Sequence, residues 1–183
     1  MNPKEYLNKL SPEQPIGVFD SGVGGLTVMR ALIETLPYEN LIYVGDTAHL
    51  PYGEKSAAAI QSYCRYIVDF LLEKNCKLIL IACNSASAAA YEFLNKYLNG
   101  KALLVSVIEP MVAEIEKSFF NQTIGLIGTR QTVSSEIFGK KIHTLSNNIR
   151  LKSLATPSLA PLIEEGLYQN PDIMLPVLEN YLT

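Results

Sequence analysis

The sequence predicts an α/β protein built from two similar units with mainly parallel sheets. Short apolar segments that fit buried strands alternate with segments in which apolar residues recur at helical spacing. The strand that opens at Ile16 is echoed at Ile124, and Asn40-Leu41 is echoed by Asn148-Ile149 at the same offset of 108 residues. Strand openings that repeat at one offset indicate two copies of one architecture. With 48% hydrophobic residues, a chain of 183 residues can form a substantial core.

The first unit is predicted to hold three strands and three helices. We assign it to residues 15–100, after an N-terminal extension of residues 1–14. The predicted strands cover residues 16–19, 41–45 and 78–82, and the predicted helices cover residues 26–36, 56–74 and 86–98. The third helix ends at Asn99-Gly100, a usual helix C-cap. We take this as the boundary to a second unit of residues 101–183, which opens with a strand at 103–108.

The turn after the first strand, Asp20-Ser21-Gly22-Val23-Gly24-Gly25, leaves several interpretations open. A dinucleotide-binding fingerprint needs a third glycine at position 27, which is Thr27, and a phosphate-binding P-loop needs a Gly-Lys-Ser/Thr sequence that this turn lacks. A nucleotide-binding domain is therefore weakly supported. Two alternatives remain: the backbone N–H groups of the turn bind a small anion, or Asp20 caps the following helix.

Cys83 lies where the third strand meets the next helix, in the sequence LILIACNSAS of residues 78–87. A thiol at the amino end of a helix lies near the positive end of the helix dipole, which favours the thiolate and makes Cys83 a candidate base or nucleophile. Free cysteines are also among the most buried residues, so a structural role competes with the chemical one. Cys64 belongs to the apolar face of a helix and Cys76 to a turn, and we assign neither a chemical role.

The repeat predicts a cleft between the two units. Ligands of parallel sheets bind outside the carboxyl ends of the strands. We expect this cleft to be lined by Asp20, Ser21, Cys83, Thr129 and Thr132. The offset of 108 residues places the counterpart of Cys83 at position 191, beyond the last residue. We therefore expect an incomplete second unit that lacks the strand equivalent to the one carrying Cys83.

Composition argues against several classes of function. The net charge is −3 and the lysines and arginines are scattered, so we expect neither nucleic acid nor a membrane surface as a partner. The sequence shows no apolar run long enough for a membrane span and no signal peptide, which predicts a cytoplasmic protein. The three cysteines form no Cys-x-x-Cys pair, and with only His49 and His143 beside them there is no metal-ligand spacing.

Six motifs follow one another through nearly the whole chain after the extension. They are FDSGVGGLTV (19–28), GDTAHLPYG (45–53), ACNSASA (82–88), VIEP (107–110), IGLIGTRQTV (124–133) and PLIEEG (161–166). Together they resemble the glutamate racemases of the aspartate/glutamate racemase superfamily. The resemblance implies two pseudo-symmetric three-layer α/β domains with glutamate bound between them. It also implies interconversion of L- and D-glutamate without a cofactor, supplying D-glutamate for peptidoglycan.

The resemblance also implies roles for individual residues. Removing a Cα proton without an electron sink requires fixed donors around the carboxylate and a base shielded from water. Cys83 would be the first catalytic thiolate, which acts on the D-enantiomer, and Asp20 would assist proton transfer. The residues that would bind or surround glutamate are Ser21, Pro51, Tyr52, Gly53, Asn84, Ser85, Thr129, Thr132 and Glu164.

Racemisation needs a second base on the opposite face of Cα, which the family carries in a Gly-Cys-Thr-His motif that has no match in this sequence. We therefore expect a truncated form that is inactive alone or exchanges the Cα proton of one enantiomer only. The alternative is a racemase-derived glutamate-binding or interaction module without catalysis. An uncovered strand edge exposes apolar surface, so formation of a homodimer is one expected consequence.

Overall fold

A four-stranded parallel sheet organises the first part of the chain. The structure is a computed structural model and describes residues 10–145 and 148–182. The strands of this sheet are β1 (Ile16–Asp20), β2 (Leu41–Gly45), β3 (Leu78–Ile81) and β4 (Leu103–Ser106). They lie in the order β2-β1-β3-β4 and all pair in parallel. The carboxyl ends of the two central strands, β1 and β3, therefore meet at the same edge of the sheet.

Helices follow the strands along the chain. They are α1 (Leu26–Thr35), α2 (Ala57–Glu73), α3 (Asn84–Leu98), α4 (Ile108–Ser118), α5 (Arg130–Ser134), α6 (Ile137–Leu145), α7 (Leu159–Glu164) and α8 (Pro171–Leu182). Short 3-10 turns cover Tyr52–Glu54 and Leu167–Gln169. None of the helices in the described ranges is long and apolar enough to cross a membrane.

The first sheet is covered by helices on both faces. Leu71 of α2 and Leu94 of α3 pack in one core cluster with Ile79 of β3. On the other face, Leu32 of α1 packs against a cluster that contains Val18 of β1. All five residues of β1 are buried, as expected for a central strand between two helical layers. The predicted α/β class with parallel sheets is confirmed.

A second parallel pair holds β5 (Thr123–Gly128) and β6 (Arg150–Ala155). The core on this sheet comes from α4 and α6, which bury Val112 and Phe138. Of the predicted echoes, Ile124 is the second residue of β5, and Asn148-Ile149 directly precede β6, so both lie at the start of a parallel pair, as their originals do. The register differs, because Ile16 pairs with Leu41 whereas Ile124 pairs with Leu151 instead of Ile149. Relative to the offset of 108 residues, the residue that pairs on the second strand is therefore shifted by two positions.

The strand after Gly100 is the edge strand of the first sheet. Leu103 of β4 pairs with Leu78 of β3, and β4 ends at Ser106. The prediction that a strand at 103–108 opens the second unit is therefore wrong. Asn99 and Gly100 have φ values of 44° and 80° and terminate α3. Such a cap ends a helix inside a β–α–β crossover as readily as at a domain border. The division of the chain into domains stays a prediction.

The described part of the N-terminal extension lies on the first sheet's unit. The side-chain amide of Asn40 donates to the carbonyl of Glu13 at 3.0 Å, and the ammonium of buried Lys77 donates to the carbonyl of Pro12 at 3.2 Å. These bonds fix the chain just before β1. Residues 1–9 of the predicted extension lie outside the described residues.

Candidate active site

Cys83 and Asp20 lie at the carboxyl ends of the two central strands. Cys83 follows β3 as the N-cap of α3, and its Sγ accepts a hydrogen bond from the backbone N–H of Ala86 at 3.4 Å. The same Sγ donates to Oγ of Ser21 at 3.5 Å. Asp20, the last residue of β1, is as buried as Cys83. The structure therefore brings together the thiol, the carboxylate and the hydroxyl that the sequence placed at one edge of the sheet.

The Cys83 thiol is protonated in the unliganded protein at neutral pH. Burial, followed by the negative charge of Asp20, raises the pKa of Cys83 to about 11, while the hydrogen bonds that Cys83 forms with Ser21 and Ala86 act in the opposite direction. The N–H of Ala86 at the helix end lowers the pKa of Cys83, as expected, but the net shift is upward. The reason is that loss of hydration outweighs the helix terminus. A positive charge placed near Asp20 would lower the pKa of Cys83 again.

The carboxylate of Asp20 occupies the glycine turn. Its Oδ2 accepts hydrogen bonds from the backbone N–H of Gly22 at 3.2 Å and of Gly25 at 3.0 Å. Gly25 is the N-cap of α1, so the structure supports the alternative in which Asp20 caps the helix. A Cβ on Gly25 would lie 2.7 Å from Cβ of Asp20, so this close approach requires glycine. An external anion would have to displace Asp20 from these two N–H groups.

A cluster of three hydroxyls links α3 to the second sheet, and we call it the hydroxyl cluster: Ser85, Thr129 and Thr132. Oγ of Ser85 lies 2.9 Å from Oγ1 of Thr129, which donates to Oγ1 of Thr132 at 3.1 Å. Thr129 is also the N-cap of α5, since its Oγ1 accepts from the N–H of Thr132 at 3.2 Å. Ser85 and Thr132 are buried. Residues from both sheets therefore contribute to one polar patch.

The segment Pro51-Tyr52-Gly53 borders the hydroxyl cluster. Tyr52 is fully buried among the core residues that include Cys83. Gly53 lies so close to Thr129 that an added Cβ would stand 2.6 Å from Cβ of Thr129. Pro51 is exposed. Of the three residues, Tyr52 and Gly53 are the ones that the structure places against the candidate site.

Asn84 and Glu164 lie at the periphery. Asn84 is exposed and lines an apolar cavity of about 620 Å³ together with Thr129 and Thr132, between α4 and β5. The exposed carboxylate of Glu164 faces the glycine turn, with Oε1 3.8 Å from the position of a Cβ on Gly22. The large cavity does not include Cys83, which is 6% exposed. The thiol therefore lies outside this cavity.

Three further residues at this edge were missed by the sequence analysis. Asp46 directly follows β2 and is bonded by Tyr52 and by His49, while Tyr63 stacks on His49. The signal for Asp46 was present, because β2 neighbours β1 and their carboxyl ends coincide. No sequence pattern indicates His49 and Tyr63, because their contact forms only when the loop after β2 packs against α2.

Within the described ranges, no group of three or more His, Cys, Asp or Glu side chains is arranged to hold a metal ion. The polar groups at the candidate site are instead a thiol, carboxylates, hydroxyls and backbone N–H groups. Such a set suits recognition of a small charged organic ligand and transfer of a proton.

Known protein sequences resemble this chain over most of its length. A sequence model of the family described as Asp/Glu/Hydantoin racemase matches residues 16–170. Glutamate racemase 3 of Caldanaerobacter subterraneus subsp. tengcongensis is 42% identical over 165 residues, covering 90% of this chain and 59% of that protein. A glutamate racemase of Streptococcus pneumoniae is 46% identical over 153 residues, covering 84% of this chain and 57% of that protein.

Solved structures share the fold. The glutamate racemase of Francisella tularensis, in complex with D-glutamate, superposes with a TM-score of 0.85 at 38% identity and covers 94% of this chain and 63% of that one. A glutamate racemase of Bacillus anthracis superposes with a TM-score of 0.86 at 34% identity, covering 94% of this chain and 64% of that one. The chain thus spans about 60% of the length of the relatives it matches.

Proposed function

This chain belongs to the Asp/Glu/hydantoin racemase family, and from that premise we propose that it binds glutamate between its two sheets and exchanges the Cα proton through Cys83. The observation that carries the proposal is the meeting of a buried thiol, the buried carboxylate of Asp20 and the hydroxyl cluster at one edge. The full reaction that we propose is cofactor-independent interconversion of L- and D-glutamate. The relative from Francisella tularensis, solved with D-glutamate, supports glutamate as the ligand.

We assign the carboxylate groups of glutamate to the polar groups that line the site. Hydroxyl donors at the start of a helix suit an anion, because the unpaired N–H groups of the first turn add to them. Ser85 and Thr132 meet this description on α3 and α5, and Thr129 joins them. Asn84 offers its amide from the cavity side. Gly53, together with its neighbours Pro51 and Tyr52, would form the wall of the glutamate site opposite Asn84.

The ammonium group of glutamate is assigned to the side of Asp20, Ser21 and Glu164. A cation there offsets the negative charge of Asp20, which is one of the two causes that raise the pKa of Cys83. Substrate binding therefore promotes ionisation of the thiol. The resulting thiolate takes the Cα proton of the D-enantiomer and becomes a thiol again, and Asp20 assists this transfer.

Proton exchange at one face of Cα does not invert the configuration of glutamate. The thiol of Cys83 returns a proton to the face from which it was removed, so inversion requires a donor on the opposite face. In the part of the chain that the structure describes, Cys64 is fully buried in the core and Cys76 lies beside Gly17, away from the site. We propose that this 183-residue chain alone exchanges one enantiomer and does not racemise, and that the whole reaction uses two thiolate bases.

The wider context that we propose follows the family. D-glutamate would serve peptidoglycan synthesis in the cytoplasm. The exposed apolar side chains of Met111, Phe120 and Ile127 offer a surface for a homodimer.

A glutamate-binding module without catalysis is the second candidate. The observation that favours it is that, of the three free cysteines in the described residues, only Cys83 forms a side-chain hydrogen bond with a residue assigned to the site. This candidate predicts glutamate binding with no loss of the Cα proton.

Deuterium exchange separates the two candidates. The chain is incubated in heavy water with D-glutamate or L-glutamate, and deuterium at Cα is followed by NMR together with chiral analysis. We expect deuterium in D-glutamate only, its loss in Cys83→Ala, and its retention in Cys76→Ala, a matched control on a buried cysteine away from the site. Exchange that persists in Cys83→Ala contradicts the role of the thiol, and net conversion of L- to D-glutamate contradicts the one-base argument.

A further inference from the structure

We propose that Asp46 is a positioning residue that sets the place of Gly53 against Thr129 by holding Tyr52. The proposal rests on the function proposed above, since it concerns how the glutamate site keeps its shape. Neither Asp46 nor its partner His49 was among the residues expected at the site. The geometry that supports their role runs from the carboxyl end of β2 to the hydroxyl cluster.

Asp46 has two side-chain partners from the loop that follows it. The phenol of Tyr52 donates to Oδ2 of Asp46 at 2.5 Å, and Nδ1 of His49 lies 2.8 Å from Oδ1. The carboxylate is largely enclosed, with 12% of its side chain exposed. Its backbone N–H donates to the carbonyl of Asp20 at 3.0 Å, which ties it to the end of β1. Asp46 is therefore fixed on one side by the sheet and holds the loop on the other.

Tyr52 depends on this contact because it is fully buried. A buried hydroxyl without a partner is costly, and a bond to a charged acceptor is stronger than one to a neutral acceptor. Burial and the hydrogen bond to Asp46 raise the pKa of Tyr52 well above its ordinary value, so the phenol stays protonated and keeps donating. Asp46 is thus the acceptor that holds the phenol of Tyr52 in place.

Tyr63 of α2 supports the same arrangement. Its ring stacks on His49 at a centroid distance of 4.1 Å and lies 5.8 Å from the ring of Tyr52. Together with Asp46, these three residues form a closed group, which we call the Asp46 cluster: Asp46, His49, Tyr52 and Tyr63. Because the cluster joins β2, the loop and α2, it resists displacement of Tyr52 in more than one direction.

The influence of Asp46 on the glutamate site passes through Gly53, the residue after Tyr52. Gly53 follows Tyr52 in the same 3-10 turn and packs so closely on Thr129 that no Cβ fits between them. Thr129 bonds both Ser85 and Thr132. A shift of Tyr52 therefore moves Gly53, and Gly53 moves the central hydroxyl of the hydroxyl cluster.

The first test is the affinity for D-glutamate, measured by titration calorimetry. Tyr52→Phe removes the donor and keeps the ring, and Asp46→Ala removes the acceptor. For each variant we expect a Kd about tenfold higher than for the unmodified chain, the size expected for a lost bond to a charged group. The stoichiometry should stay near that of the unmodified chain. A purely structural role would instead lower the stoichiometry and leave Kd unchanged.

Two further variants sharpen this test. Tyr97→Phe is a matched control, because the Tyr97 phenol donates to Oδ1 of Asp69 at 2.6 Å on the exposed surface of α2 and α3, and its Kd should not change. Asp46→Asn keeps an acceptor oxygen, so its Kd should return to within about threefold of the unmodified value. The proposal is overturned if Tyr52→Phe binds as the unmodified chain does, or if Asp46→Asn is as weak as Asp46→Ala.

A second readout does not depend on glutamate. The methyl NMR signal of Thr129 should move in Tyr52→Phe and in Asp46→Ala, and should stay in place in Tyr97→Phe. An unchanged Thr129 signal in the first two variants overturns the positioning role. If the unmodified chain binds no D-glutamate, the proposed function fails while this signal still decides the role of Asp46.

Discussion

Among the single residues of the candidate site, Asp20 has two effects through its carboxylate. It closes the glycine turn by accepting from Gly22 and Gly25, and its charge opposes ionisation of Cys83. The charge of Asp20 therefore keeps the thiol in its protonated state. This state protects the thiol, because the thiolate is the reactive form of cysteine.

The raised pKa of Cys83 predicts how stability depends on pH. A group whose pKa is higher in the folded protein than in the unfolded chain stabilises the fold fully below the unfolded pKa, and this contribution is lost as pH rises toward the folded pKa. With a folded pKa of about 11 for Cys83, the loss falls between about pH 9 and pH 11. We expect Cys83→Ser to avoid a loss of about 2 kcal/mol over this range.

Urea unfolding at pH 8 and at pH 10.5 measures this difference. Serine is a good N-cap and does not titrate there, so the variant retains the start of α3. If the free energy of unfolding changes by the same amount between pH 8 and pH 10.5 in the unmodified chain and in Cys83→Ser, the pKa of Cys83 is not raised.

At the scale of elements, the 3-10 turn of residues 52–54 and the N-terminus of α5 fit together through a glycine. An alanine at position 53 would place its Cβ 2.6 Å from both Cβ and Cγ2 of Thr129, a distance that backbone or side chain must relieve. We expect Gly53→Ala to lower the free energy of unfolding by about 1 to 3 kcal/mol.

Gly125→Ala is the control for this prediction. Gly125 lies in β5 with no atom within 4 Å of an added Cβ, so its replacement should cost little. Thermal melts of both variants check the contrast. A Gly53→Ala protein as stable as Gly125→Ala would contradict the close packing of the turn on Thr129.

Strands and helices of the first sheet could be predicted because each carries its own periodic pattern. The strand at 41–45 has the predicted bounds, and α2 begins one residue after its predicted start at Ser56, whose Oγ caps the helix by accepting from the N–H of Ala59. Sheet membership could not be predicted in the same way. β4 joins the first sheet through pairing with β3, and the cap at Gly100 gives no information about which sheet the next strand enters. Asp46 lies in the same sequence motif as Tyr52 and Gly53 and directly after a predicted strand, but its contacts with Tyr52 and His49 arise only in the folded chain.

At the scale of the whole molecule, the site depends on both sheets. The first sheet supplies Asp20 and Cys83, and the second supplies Thr129 and Thr132 at the end of β5 and the start of α5. Ser85 bonds across this junction. A glutamate bound by both sides would place its ammonium group next to Asp20 while its carboxylates meet the hydroxyls. We therefore propose that the thiol ionises in the assembled site when glutamate is bound.

The central claim is that Cys83 becomes a base when glutamate lies beside Asp20. The most direct measurement is a pH titration of the 13C-labelled Cβ signal of Cys83, without ligand and with saturating D-glutamate. We expect a Cys83 pKa of about 11 without ligand and a clearly lower pKa with D-glutamate. A Cys83 pKa that D-glutamate leaves unchanged, or raises, would contradict it.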